Sequence, residues 1–200
     1  LFARSTPKMS YKMQKKVLIV FGTRPEAIKL APVIEKLHKH PELKPIVCVT
    51  AQHREMLDQV LTLFSIQPDY DLNVMKEAQS LLEVCGWIVN LLTPVFAKAK
   101  PDYVLVQGDT MTTFVGAFLA YLHRVPVGHV EAGLRTHRKW DPFPEEMNRK
   151  LTSSLADFHF APTQKTKEHL LAEGVSEHSI WVTGNTVIDA LKNTLDKIKR

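Results

Sequence analysis

Carboxylates and cations gather where short apolar runs stop. Residues 125–130 form such a run, which ends on Glu131, and Gly133, Arg135, His137, Arg138 and Lys139 follow in one loop. Pro144 then opens a helical stretch with Glu145 and Glu146 in its first turn and Arg149 one turn on. Three earlier runs end in polar turns as well. Residues 17–21 lead into Gly22-Thr23-Arg24-Pro25, with Lys29 about a turn further, and residues 103–107 lead into Gly108-Asp109-Thr110. Residues 46–50 lead into Ala51-Gln52-His53-Arg54. Carboxylates placed like this suit proton transfer, and Arg24 and Lys29 beside them suit a phosphorylated ligand.

Each of these residues also has an ordinary structural use. An acid in a first helical turn is favoured by the helix dipole, which covers Glu145 and Glu146. Glu145 and Arg149 are four apart and can pair on a helix surface. Asp109 can cap the helix that follows it. Lys29 can be a surface cation. Glu131 is harder to explain away, because an acid ending a buried strand has few structural uses.

The elements that carry these residues alternate. Apolar runs at 17–21, 46–50, 69–72, 103–107, 125–130, 158–161 and 180–183 read as strands. Helical patterns at 26–39, 55–64, 81–96, 112–123, after Pro144, at 165–173 and at 186–199 separate them. This order predicts an α/β fold, a Rossmann-like doubly wound parallel sheet. Right-handed crossovers then bring Arg24, Gln52, His53, Asp109 and Glu131 to one side of the sheet. That convergence points to a site more strongly than any one residue does. The first turn is not GxGxxG, so dinucleotide binding gains little support. The helices at 81–96 and 112–123 are apolar almost all round, so they are either core or face another subunit.

Composition narrows the function classes. Two hundred residues, 44% hydrophobic and 24% charged, describe one globular domain. The net charge of +5 comes from residues 1–16, where Arg4, Lys8, Lys12, Lys15 and Lys16 face no acid. The rest has 21 cations (26 minus 5) against 21 acids, so no basic face for nucleic acid is evident. No apolar run is expected to approach the roughly 20 residues of a membrane span. The two cysteines form no CxxC or Cys/His cluster, which argues against zinc and fits reduced thiols in the cytoplasm. The chain opens on Leu, and residues 1–15 read as a tag, a scar or a disordered leader.

The motifs FGTRPEAIKLAP, TAQHREMLDQV, GDTMTT, PVGHVEAGLRT, PFPEEMNR and TGNTVIDAL, taken together and in this order, resemble the non-hydrolysing UDP-N-acetylglucosamine 2-epimerases. The resemblance runs from about residue 16 to residue 191. It implies the first half of a GT-B-like architecture of two Rossmann-like domains: residues 16–184 as the first domain and 185–200 as a helix leading to a second. It also implies conversion of UDP-N-acetylglucosamine to UDP-N-acetylmannosamine by elimination and re-addition of UDP, with no cofactor and no metal. Asp109, Glu131 and Glu145 become the acid/base residues, and Arg24, Lys29 and Arg149 the substrate-binding ones. Gln52 and His53 match a region that meets a second, regulatory nucleotide sugar in some members. A homodimer through the first domain is expected, as is a groove where a helix returning from the second domain would pack. Met111 and Ser153 depart from the usual pattern without removing a charge. Two alternatives stand beside this reading: half of a GT-B glycosyltransferase, and a non-catalytic domain that works only with a separate partner chain.

Overall fold

The computed structural model describes residues 14–51, 54–75 and 78–198. Strands and helices alternate along them. The strands are β1 (Lys15–Phe21), β2 (Leu43–Val49), β3 (Tyr70–Asp71), β4 (Tyr103–Gln107), β5 (Val127–Val130), β6 (Phe158–Ala161) and β7 (Ile180–Val182). The helices are α1 (Arg24–His38), α2 (Arg54–Leu63), α3 (Leu81–Ala99), α4 (Met111–Leu122), α5 (Glu145–Leu155), α6 (Gln164–Ala172) and α7 (Val187–Ile198). All strand pairs are parallel, in the order β3-β2-β1-β4-β5-β6-β7. The expected doubly wound α/β fold is therefore present, and the element types match with boundary shifts of a few residues.

Strand alternation assigns the two faces. Leu18, Val20, Cys48, Val104 and Val106 pack with Val84, Ile88 and Leu92 of α3 and Val115 and Leu119 of α4. Ile19, Phe21, Val47 and Val49 pack on the other side with Leu30 and Ile34 of α1 and Leu57 and Val60 of α2. Burial on both faces is why the central strands read as continuous apolar runs. The direction of winding reverses between β1 and β4. The turns carrying Arg24 and Asp109 open at that reversal, where ligands of such sheets bind.

One face stays uncovered over the later strands. A groove of about 430 Å³ runs past Leu105, Gly128, Val130, Phe158, Phe160 and Thr186. Gly128 shapes its floor, since a Cβ there would stand 2.6 Å from Leu105 Cδ2. The last helix, α7, packs beside the groove against α1. Asn193 Nδ2 donates to Glu35 at 3.1 Å and Lys197 Nζ to the Leu63 carbonyl at 3.0 Å.

The apolar helices are only half explained by the core. Val84, Ile88, Leu92, Val95 and Phe96 are buried, yet Leu82 is 84% exposed, and on α4 Tyr121 and Leu122 are also exposed. The expectation about membrane-spanning length needs correcting. At 19 residues, α3 is long and apolar enough to cross a membrane by length and composition alone.

Candidate active site

Glu131 leaves β5 with φ +64, in the left-handed region that a residue with a Cβ enters at a cost of roughly 1–2 kcal/mol. Its carboxylate is held by donors from three separate elements. Lys29 Nζ of α1 lies 2.6 Å from Oε2, and Gln107 Nε2 at the end of β4 is also 2.6 Å from it. Asn185 Nδ2, between β7 and α7, lies 2.7 Å from Oε1. The Glu131 side chain is 10% exposed and that of Lys29 23%. Lys29 is thus no plain surface cation.

Asp109 is beside it in the fold. A Cβ on Gly108 would stand 3.9 Å from Glu131 Oε2, so the Glu131 carboxylate reaches across from β5 to the turn after β4 that carries Asp109. Asp109 does not cap α4. Thr110 does, accepting the Thr113 amide. The Asp109 carboxylate instead takes Arg149 Nε at 2.8 Å and Nη2 at 2.7 Å. Two side chains fix the backbone on either side of that turn: His129 Nε2 donates to the Gly108 carbonyl at 2.7 Å, and Asn148 Nδ2 to the Asp109 carbonyl at 2.9 Å. Because a carbonyl only accepts, His129 carries its proton on Nε2. Burial pushes its pKa down to about 3, so the ring is neutral.

Neighbouring acids divide the labour. Glu146 is buried and accepts from the Thr136 and His137 amides and from Arg149 Nη1. Burial works to raise its pKa, but the two amides and the guanidinium outweigh it and hold the carboxyl below the usual range. Glu146 therefore ties the loop after Glu131 to α5. Glu145 has no hydrogen-bond partner among the described residues and is half-buried. Arg149 pairs with Glu146 and Asp109, so the expected surface pair with Glu145 is not formed. Arg24 is exposed at the start of α1 and unpaired among the described residues. Gln52 and His53 lie outside the described residues.

Arg135, one of the cations in the loop after Glu131, serves a structural pairing. Its side chain is 0% exposed. It binds Glu173 through Nε and Nη2 at 2.8 and 2.7 Å, and Nη2 also meets Ser153 Oγ at 2.9 Å. With Arg135 held by Glu173, Lys29 on Glu131 and Arg149 on Asp109 are the cations in contact with the acids of the turns.

Sequence reasoning missed several of the residues that build this geometry. Glu26 is buried and accepts from the Gly22 and Thr23 amides and from Thr110 Oγ1. Burial raises its pKa. Thr23-x-x-Glu26 is a capping-box spacing, so that signal was readable. Gln107, Asn148 and Asn185 carry no charge and were passed over. No group of three or more metal-ligating side chains occurs among the described residues.

Comparison with known proteins sets this geometry in a family. A family profile described as UDP-N-acetylglucosamine 2-epimerase matches residues 35–200. A UDP-N-acetylglucosamine 2-epimerase of Neisseria meningitidis is 58% identical over 184 residues, covering 92% of this chain and 50% of that protein. One of Bacillus subtilis is 57% identical over 180 residues, covering 90% of this chain and 47% of that protein. The crystal structure of the Neisseria meningitidis enzyme bound to UDP-GlcNAc superposes with a TM-score of 0.89, covering 92% of this chain and 50% of that one. A lipopolysaccharide galactosyltransferase, 15% identical with a TM-score of 0.62 over 86% of this chain and 46% of that one, shares the fold alone. The chain spans about half the length of the curated relatives it matches. With the profile covering most of its length and close relatives matching nearly all of it, the chain belongs to the UDP-N-acetylglucosamine 2-epimerase family.

Proposed function

We propose that this chain supplies the acid-bearing half of an enzyme that interconverts UDP-N-acetylglucosamine and UDP-N-acetylmannosamine. The observation that carries the reading is the placement of Glu131 against Lys29 and of Asp109 against Arg149 on the turns that follow the adjacent strands β4 and β5, next to the reversal of the sheet. The C2 proton of the sugar is weakly acidic, so its removal needs a carboxylate held close. Loss of UDP leaves charge on oxygen, which cations stabilise. Return of a proton to the opposite face needs a second acid. Asp109, Glu131 and Glu145 are the groups for proton transfer, and Glu145 has no partner among the described residues to displace. Arg24, Lys29 and Arg149 face the leaving group. Lys29 and Arg149 are now engaged by acids and exchange those contacts for substrate. Gln52 and His53 remain the candidates for a second, regulatory sugar nucleotide.

The rest of the assembly follows the same reading. Residues 16–184 act as the first domain, with 185–200 leading to a second that faces it across the site. The groove beside Phe158 and Phe160 is the seat for a helix from that second half. The exposed faces of α3 and α4 meet in a homodimer. Cys48 and Cys85 are unpaired, in keeping with a cytoplasmic enzyme that feeds cell-surface polysaccharide synthesis. Product analysis decides the central point. Incubation with UDP-N-acetylglucosamine, with this half joined to a second domain, should give UDP-N-acetylmannosamine at equilibrium. Formation of a glycoside or of free sugar alone would sink the reading.

A further inference from the structure

The motif around Gly184-Asn185-Thr186 marks a turn between β7 and α7, and nothing in the proposed reaction gives it a role. Asn185 uses both ends of its amide. Nδ2 donates to Glu131 Oε1 at 2.7 Å, and Oδ1 accepts the Val187 amide at 3.1 Å, at the start of α7. We propose that Asn185 is a positioning residue which ties the carboxylate of Glu131 to the seating of α7. The inference rests on the reading of Glu131 as a proton-transfer group.

The other contacts of Glu131 show why a third donor matters. Lys29 and Gln107 both bind Oε2, so Asn185 is the donor that holds Oε1 and sets the plane of the carboxylate. The backbone at Glu131 is in the left-handed region, so the side chain has no extended strand to stand on. The proton that a carboxylate takes goes to a lone pair in that plane, and a rotated plane aims it elsewhere.

The seat of α7 is light. Ala190 is its one buried residue, and Ile188, Leu191, Leu195 and Ile198 stay exposed along it. Polar latches to Glu35 and Leu63 hold its far part against α1 and the end of α2. A helix held this way shifts at small cost. When it does, its first turn carries Asn185 with it, and Glu131 keeps or loses its Oε1 partner accordingly. What covers the exposed stripe of α7 is thus felt at the acid.

Two variants separate this role from simple helix capping. Asn185→Ser keeps a good cap for the Val187 amide but is too short to reach Glu131. Lys197→Ala with Asn193→Ala loosens the far end of α7 and leaves Asn185 intact. In the 200-residue chain, amide-exchange NMR of Asn185→Ser should show Val187 protected as in the parent. The side-chain amide signals of Gln107, bonded to the same carboxylate, should move. The latch variant should move them in the same direction. In a turnover assay with a second domain attached, Asn185→Ser should lower kcat roughly tenfold with KM little changed, since orientation at the reacting atom is lost rather than binding. Gln107 signals unmoved by Asn185→Ser would overturn the inference, and so would an unchanged kcat. The NMR arm needs no turnover, so failure of the epimerase reading would leave it decisive.

Discussion

Glu131 and Lys29 stand 102 residues apart in the chain and 2.6 Å apart in the fold. The pairing joins the end of β5 to the first turns of α1, and it neutralises a nearly buried acid whose other partners, Gln107 and Asn185, carry no charge. On the proposed reading, a phosphate that draws Lys29 away frees the carboxylate in the same movement. Lys29→Met in a two-domain context should therefore raise KM and lower kcat together, by roughly tenfold or more each. A variant with only KM changed would show that Lys29 binds without governing the acid.

The carboxylates themselves are the next test. Asp109→Asn, Glu131→Gln and Glu145→Gln should each slow epimerisation by roughly 10²-fold or more. Thermal midpoints should stay near the parent's for Glu145→Gln, which has no partner to lose among the described residues. Near-normal turnover in Glu131→Gln would end its role in proton transfer.

Much of this was legible in the chain, and the reason is physical. Buried parallel strands leave continuous apolar runs, and their ends are marked by Gly22, Gly108 and Glu131, so the strands and the side on which these turns gather could be read directly. The pairing of the charges could not. Arg135 and Arg149 look alike in sequence, yet one is buried against Glu173 and the other spans Asp109 and Glu146. Neutral side chains such as Gln107, Asn148 and Asn185 carry no periodic or charge signal, although they hold the acids and the turns. The uncovered groove depends on which face of β5 and β6 lacks a helix, which is a property of the packed layers.

His129 makes acid stability a further test. Its folded pKa is pushed down to about 3 by burial, against about 6.5 in the unfolded chain. Between those values the unfolded chain binds a proton that the native one does not. Stability from this group is therefore present above pH ~6.5 and lost as pH falls towards 3, by on the order of a few kcal/mol. Urea unfolding of His129→Gln should show a shallower decline between pH 7 and 5 than the parent. An equally steep decline would assign the pH dependence to other groups.

Gly133 and Gly174 both have positive φ, but their surroundings differ. A Cβ on Gly133 would lie 2.2 Å from the Thr166 carbonyl oxygen, whereas nothing lies within 4 Å of one on Gly174. Gly174→Ala should cost about 1 kcal/mol, from the backbone alone. Gly133→Ala should cost roughly 3 kcal/mol or more, because the loop after Glu131 must lift off α6. Similar losses in urea unfolding for the two variants would contradict the close approach.

The exposed faces of α3 and α4 predict self-association. Light scattering at micromolar concentration should give a dimer mass, and Leu82→Glu combined with Tyr121→Glu should give a monomer with its fold retained. A parent that is monomeric at those concentrations would show that these faces have another use.

The central claim is that this half supplies the acids that exchange the C2 proton and that a second half must close the site. It is tested most directly in D2O. The 200-residue chain, and the same chain joined to the second half of its Neisseria meningitidis relative, are incubated with UDP-N-acetylglucosamine, and the sugars are read by mass and proton NMR. The account predicts UDP-N-acetylmannosamine carrying one solvent deuterium at C2 from the joined protein, and none from the 200-residue chain by itself, because on this account the sugar must be positioned between two walls. Epimerisation without deuterium at C2, or turnover by the chain alone at the rate of the joined protein, would contradict it.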